Sequence, residues 1–91
     1  MNNARRKQIE RLKTQIEALT GQIEELQSEV ENVRDEEQDY FYNMPESIQS
    51  GEKGERAEAA ADALTEAADA LGEILTQIEE AIGNLDAAVE A

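Results

Sequence analysis

The stretch IERLKTQIEALTGQIEELQSEVENV, residues 9 to 33, decides the fold. Its apolar residues are Ile9, Leu12, Ile16, Leu19, Ile23, Leu26, Val30 and Val33, an unbroken alternation of three- and four-residue steps. That spacing keeps one face of a helix apolar and is the signature of a coiled-coil seam. Ile or Val holds each first core position and Leu each second one until Val33. Glu10, Glu17, Glu24 and Glu31 lie outside the seam, and Lys13, Gln15, Thr20, Gln22, Gln27, Glu29 and Arg34 run along its flanks. The pattern predicts an amphipathic helix from about Asn3 to about Asp39, roughly 55 Å long at about 1.5 Å per residue.

Downstream the rhythm returns with smaller residues, at Ala57, Ala61, Leu64, Ala68, Leu71, Leu75, Ile78, Ile82, Leu85 and Val89. Beside it Ala60, Ala67, Ile74, Ala81 and Ala88 recur every seven residues, so the apolar stripe is wider than one partner helix covers. This predicts a second helix over about 55–90 with two neighbours. Gly21, Gly72 and Gly83 each weaken a helix interior by about 1 kcal/mol relative to Ala, a loss that packing must offset.

Between the arms lies YFYNMPESIQSGEKGE, residues 40 to 55, where Pro45, Gly51 and Gly54 interrupt the heptads and Ser50 is a candidate cap for the second helix. Folding back there makes 1–91 a single helical-hairpin domain: helix 1 over about 3–39, turn over 40–54, helix 2 over about 55–90. Arg5, Arg6, Lys7, Arg11 and Lys13 then face Glu79, Glu80, Asp86 and Glu90. Basic residues at a helix N-terminus oppose its macrodipole, so their clustering there calls for an acidic neighbour. A lone hairpin buries one narrow seam, which is marginal for a chain of this size. The expected fold is therefore all-α, an antiparallel helical hairpin of coiled-coil type that dimerises into a four-helix bundle.

Charge and composition narrow the function. There are 22 acidic against 8 basic side chains, a formal net charge of -14, which opposes direct binding to nucleic acid or to a membrane surface. With no Cys and no His, thiol nucleophiles, imidazole proton shuttles and the usual transition-metal ligands are absent. Low mean hydropathy and high charge also suit a disordered chain; the heptads decide against that. No apolar run approaches a membrane span, and MNNARRKQIERLK lacks the apolar stretch of a secretory signal, so a cytoplasmic location is expected. Pairs such as Asp35 with Asp39 or Glu25 with Glu29 share helical faces, but such pairs are common in any acidic helix. Gly51 and Gly54 lack the pattern of a phosphate-binding loop. We expect no enzyme, no cofactor and no metal site.

Two features remain as candidate sites. Residues 24–39 hold Glu24, Glu25, Glu29, Glu31, Asp35, Glu36, Glu37 and Asp39 against Arg34 alone, a net of -7. Residues 46–73 hold Glu46, Glu52, Glu55, Glu58, Asp62, Glu66, Asp69 and Glu73 against Lys53 and Arg56, a net of -6. Such density suits a decoy for a basic nucleic-acid-binding groove, or serves as a solvated face that keeps a bundle soluble. All three aromatics, Tyr40, Phe41 and Tyr42, sit beside the turn with Met44 and Ile48 close by. Successive helix positions differ by about 100°, so the three cannot all enter one seam. They are either binding anchors or a plug that closes the hairpin and holds Pro45 and Ile48 over it.

Tyr42, Asn43, Pro45, Glu46, Gln49, Ser50, Gly54 and Glu55, with the alanine- and acid-rich arm that follows, resemble the turn of a group of short acidic helical-hairpin proteins from bacteriophages and prophages. The likeness spans residues 36–91, and the Gly51-Glu52-Lys53-Gly54 stretch departs from the group's pattern. No activity travels with it. Phage kinship implies an accessory or host-takeover factor acting in the host cytoplasm, inhibitors of defence nucleases among them. The resulting expectation is a non-enzymatic interaction protein and homodimer that binds a protein partner of the basic nucleic-acid-binding kind. The contact residues would be Tyr40, Phe41, Tyr42, Met44 and Ile48 with Glu36, Glu37, Asp39, Glu46, Glu52 and Glu55. The alternative is a structural or scaffolding coiled coil that joins copies of itself or other phage components.

Overall fold

The first heptad run winds into one helix, α1, Asn3–Tyr42, started by Asn2, whose Oδ1 accepts the Arg5 backbone N–H at 2.8 Å. A single turn of helix, α2, Glu46–Gln49, follows, and then α3, Glu52–Glu90. This computed structural model describes the whole chain, residues 1–91. α1 and α3 lie antiparallel as one rod of 69 × 16 × 13 Å, with a radius of gyration of 20.4 Å. A globular chain of this length has about 12 Å.

The turn is shorter than the sequence suggests. α1 continues three residues past Asp39 and carries Tyr40, Phe41 and Tyr42, while α3 begins at Glu52 and holds Gly54 in its first turn. Tyr40 lies seven residues after Val33, so the aromatics prolong the heptads rather than end them. Gly54 acts through contact: a Cβ there would overlap the Gln49 carbonyl oxygen, so the missing side chain lets α2 close onto α3. Ser50 does not cap α3. Gly51 occupies that cap position, and the Ser50 hydroxyl instead donates to the Glu46 carbonyl at 3.1 Å, closing α2.

Burial is shallow and uneven. The only buried apolar residues are Ala57, Ala61 and Ala68, each 3 to 4 % exposed, joined by Gly54. Small side chains on α3 near the turn let α1 approach closely. Further along, Leu64, Leu71, Leu75, Ile78, Ile82 and Leu85 are half-buried. α1 divides its two apolar registers. Ile9, Ile16, Ile23 and Val30 are half-buried, whereas Leu12, Leu19, Leu26 and Val33 remain 46 to 52 % exposed. Lys13, Thr20, Gln27, Arg34 and Phe41, each four residues after an inward position, are half-buried too. A single partner helix covers only about a third of a helix surface, and polar chains such as Lys13 and Gln27 find acceptors across it.

Of the basic cluster, only Lys13 forms an ion pair with α3, Nζ to the Asp86 carboxylate at 2.7 Å. Arg6 donates from Nε to the Val89 carbonyl oxygen at 3.2 Å. Arg5, Lys7 and Arg11 make no ion pair, and Glu79, Glu80 and Glu90 receive none: Glu80 and Glu90 turn away from the seam, while Glu79, placed like Asp86 one heptad earlier, has Thr20 and not a cation one heptad after Lys13. No helix is long and apolar enough to cross a membrane.

Candidate functional site

The hairpin has two unlike faces, and helix geometry fixes which residues share each. In an antiparallel pair, the position three residues past an inward one falls on the same side of both helices. Leu12, Leu19, Leu26, Val33 and Tyr40 on α1 therefore share a face with Ala60, Ala67, Ile74, Ala81 and Ala88 on α3. A cross-helix contact marks this side: the Lys53 Nζ, seven residues before Ala60, stands 6.0 Å from the centre of the Tyr40 ring. Ile74 is 40 % exposed and Tyr40 45 %. The outer rim beside this face is uncharged at Gln8, Gln15, Gln22, Ala63, Ala70, Gln77 and Asn84, and charged toward the turn at Glu29, Glu36 and Arg56.

The opposite side carries the residue after each inward position: Glu10, Glu17, Glu24 and Glu31 on α1, and Glu58, Glu79 and Asp86 on α3. Here Lys13 reaches Asp86, and Gln27 Nε2 donates to the Ala68 carbonyl at 3.0 Å. The hydrogen bond to Asp86 holds the Lys13 ammonium above its ordinary pKa; the charges of Asp86, Glu10 and Glu17 add to this, while partial desolvation opposes it.

At the turn end the candidate contact residues come together. Phe41 is half-buried, with Tyr42 edge-on at 5.4 Å between ring centres. Tyr42 is the outward aromatic, 71 % exposed. Gln49 locks the end of α1, its Nε2 donating to the Phe41 carbonyl at 3.0 Å and the Tyr42 carbonyl at 3.4 Å. The Phe41 carbonyl also accepts the Met44 backbone N–H at 3.1 Å, so the Gln49 amide adds a second donor there and reaches the Tyr42 carbonyl, which the helix terminus leaves without a backbone partner. Met44 is half-buried and Ile48 exposed. A hollow of about 120 Å³ lies between Gln38, Phe41, Tyr42, Glu58, Ala61 and Asp62, too small for a drug-sized ligand. Its acidic lining is Glu58 and Asp62; Glu36, Asp39, Glu46, Glu52 and Glu55 are exposed elsewhere on the turn half and Glu37 is half-buried, with Glu52 engaged by Arg56. No three carboxylates converge to hold a cation.

Sequence reasoning did not find the Gln49 lock, the Gln27 bond or the Tyr40–Lys53 contact. Gly54 and Gly72 were its signals, since each marks a close approach by another group. Comparison with family models, with curated proteins and with solved structures gives no match.

Proposed function

We propose that this chain is a non-enzymatic interaction protein that offers an acidic rod to a basic nucleic-acid-binding protein, filling a groove that would otherwise hold a polyanion. The observation that carries the reading is the charge arrangement. The two acidic stretches, of net -7 and -6, lie side by side on the paired helices of the turn half. Over roughly 35 Å this is about one negative charge per 3 Å, against one per about 1.7 Å on duplex DNA. Nearly all these carboxylates are exposed, so their field reaches outward. Tyr42 at the tip supplies an aromatic anchor beside them.

Its working state is a homodimer, a four-helix bundle of two hairpins. The chain exposes 6557 Å². A compact monomer of its mass exposes about 5300 Å², so each copy carries a surplus of about 1200 Å². Pairing two copies through that surplus would bury about 2400 Å², within the range of obligate homodimers. The resemblance of the turn to phage and prophage hairpins gives the setting, inhibition of a host defence complex in the host cytoplasm.

One observation favours a second reading, a structural coiled coil: the exposed heptad leucines suit self-association without any further partner. Affinity capture from bacterial lysate separates the two. A basic nucleic-acid-binding protein retained at about 50 mM salt, released by about 300 mM and displaced by duplex DNA supports the decoy. Recovery of this chain alone supports the scaffold.

A further inference from the structure

We infer that the apolar face is the seat of a second copy of this chain, and that the two hairpins stack across it head to tail, leucines on leucines and alanines on alanines. The inference rests on the dimeric reading and specifies its geometry.

Register is the first argument. Contacts of Arg6 with Val89, Gln27 with Ala68 and Tyr40 with Lys53 set the level of each residue along the rod. They put Ile74, the one large residue in the alanine stripe, level with the gap between Leu19 and Leu26. That level is also the middle of α1 and of the rod. A two-fold axis through it, across the helices, sets Leu19 against Leu26 of the second copy, Leu12 against its Val33, and Ile74 against its own equivalent. An isologous contact requires this self-complementarity, and both stripes satisfy it about the same centre.

Charge selects the direction. Five of the eight basic residues lie within residues 5–13 at the open end, whereas the turn half carries the acidic stretches. Parallel stacking would set two acidic turn halves side by side, like charges at close range. Head-to-tail stacking instead lays the basic start of α1, whose open half as a whole is nearly neutral once Glu79, Glu80, Asp86 and Glu90 are counted, against the acidic turn half of the other copy's α1. Arg5, seven residues before Leu12 and so on the same face, comes level with Tyr40 of the second copy and within one helical turn of its Glu36. A guanidinium there meets both a ring face and a carboxylate. On the rim, head-to-tail stacking brings the uncharged Gln8 and Gln15 of one copy level with Glu36 and Glu29 of the other. The acidic side stays outward on both copies, free for a partner.

Because the chain has no cysteine, single labels can be placed on otherwise intact protein. Spin labels on Gln8→Cys, Gln22→Cys and Glu24→Cys, all exposed, report distances between copies by pulsed dipolar spectroscopy. Head-to-tail stacking through the apolar face predicts about 40 Å for Gln8→Cys at about 1.5 Å per residue, and under about 20 Å for Gln22→Cys. Glu24→Cys, at the level of Gln22 but on the acidic side, should read longer than Gln22→Cys. Short distances at both Gln8→Cys and Gln22→Cys would overturn the direction and leave the dimer standing. A Glu24→Cys distance shorter than Gln22→Cys would overturn the face. No distance between copies, with a monomer mass by light scattering, would overturn the dimeric reading itself.

Discussion

Gln27 and Gly72 share one spot on the inter-helix seam: the Gln27 amide donates to the Ala68 carbonyl at 3.0 Å, and a Cβ on Gly72 would stand 3.1 Å from that nitrogen. A glycine in mid-helix costs about 1 kcal/mol of propensity, and here the space it leaves is filled by a hydrogen bond of comparable worth. Gly72→Ala should therefore change stability by under about 0.5 kcal/mol, gain and loss cancelling. In a Gln27→Ala background the same substitution should gain nearly the full 1 kcal/mol. A double-mutant cycle by thermal unfolding measures the coupling.

Gly21 and Gly83 have nothing within 4 Å of an added Cβ. Each Ala replacement should stabilise by about 1 kcal/mol and raise Tm by about 4 to 8 °C, read by circular dichroism. Neither lies on the apolar face, so the oligomeric state should not change.

Gly54→Ala should behave in the opposite way. Its Cβ would meet backbone at the Gln49 carbonyl, which cannot move without lifting α2 and its Gln49 lock from α1. A loss of about 1 to 3 kcal/mol is expected, with weakened hydrogen-exchange protection around residues 41 to 50. Gly51→Ala, whose added Cβ would meet the Ile48 carbonyl at an ordinary 3.5 Å, should cost less.

The Lys13–Asp86 pair carries a pH signature. Its folded pKa is raised above the ordinary 10.5, so the contribution is complete below 10.5 and fades as pH climbs through the raised folded value. The Tm difference between the natural chain and Lys13→Met should be constant from pH 7 to 9 and shrink only in stronger alkali.

With a net charge of -14, like-charge repulsion opposes the folded rod. Sodium chloride from about 20 to about 500 mM should raise Tm, since screening relieves repulsion between exposed carboxylates. A fall would mean that attraction across the seam outweighs it.

Much of this was legible in the chain itself. The alternation from Ile9 to Val33 and its echo from Ala57 to Val89 give both helices, because three- and four-residue steps gather apolar residues on one face only when the chain is helical. Pro45 locates the turn. What the heptads cannot show is how two apolar registers divide when only one partner is at hand: the isoleucines turn inward and Leu12, Leu19 and Leu26 do not. Helix ends were also blurred, since Tyr40 to Tyr42 read as turn residues by composition but continue the seam. Gln49 and Gln27 escape a pattern reading because their acceptors are backbone carbonyls, which every residue possesses.

In the proposed dimer the leucine face is covered by a second copy. Sedimentation equilibrium of the natural chain beside a Leu19→Glu, Leu26→Glu variant tests this most directly. The natural chain should show a mass of about 20 kDa, twice its 10.1 kDa, and the variant a shift toward monomer. A natural chain that stays at 10.1 kDa up to hundreds of micromolar while fully helical would contradict it.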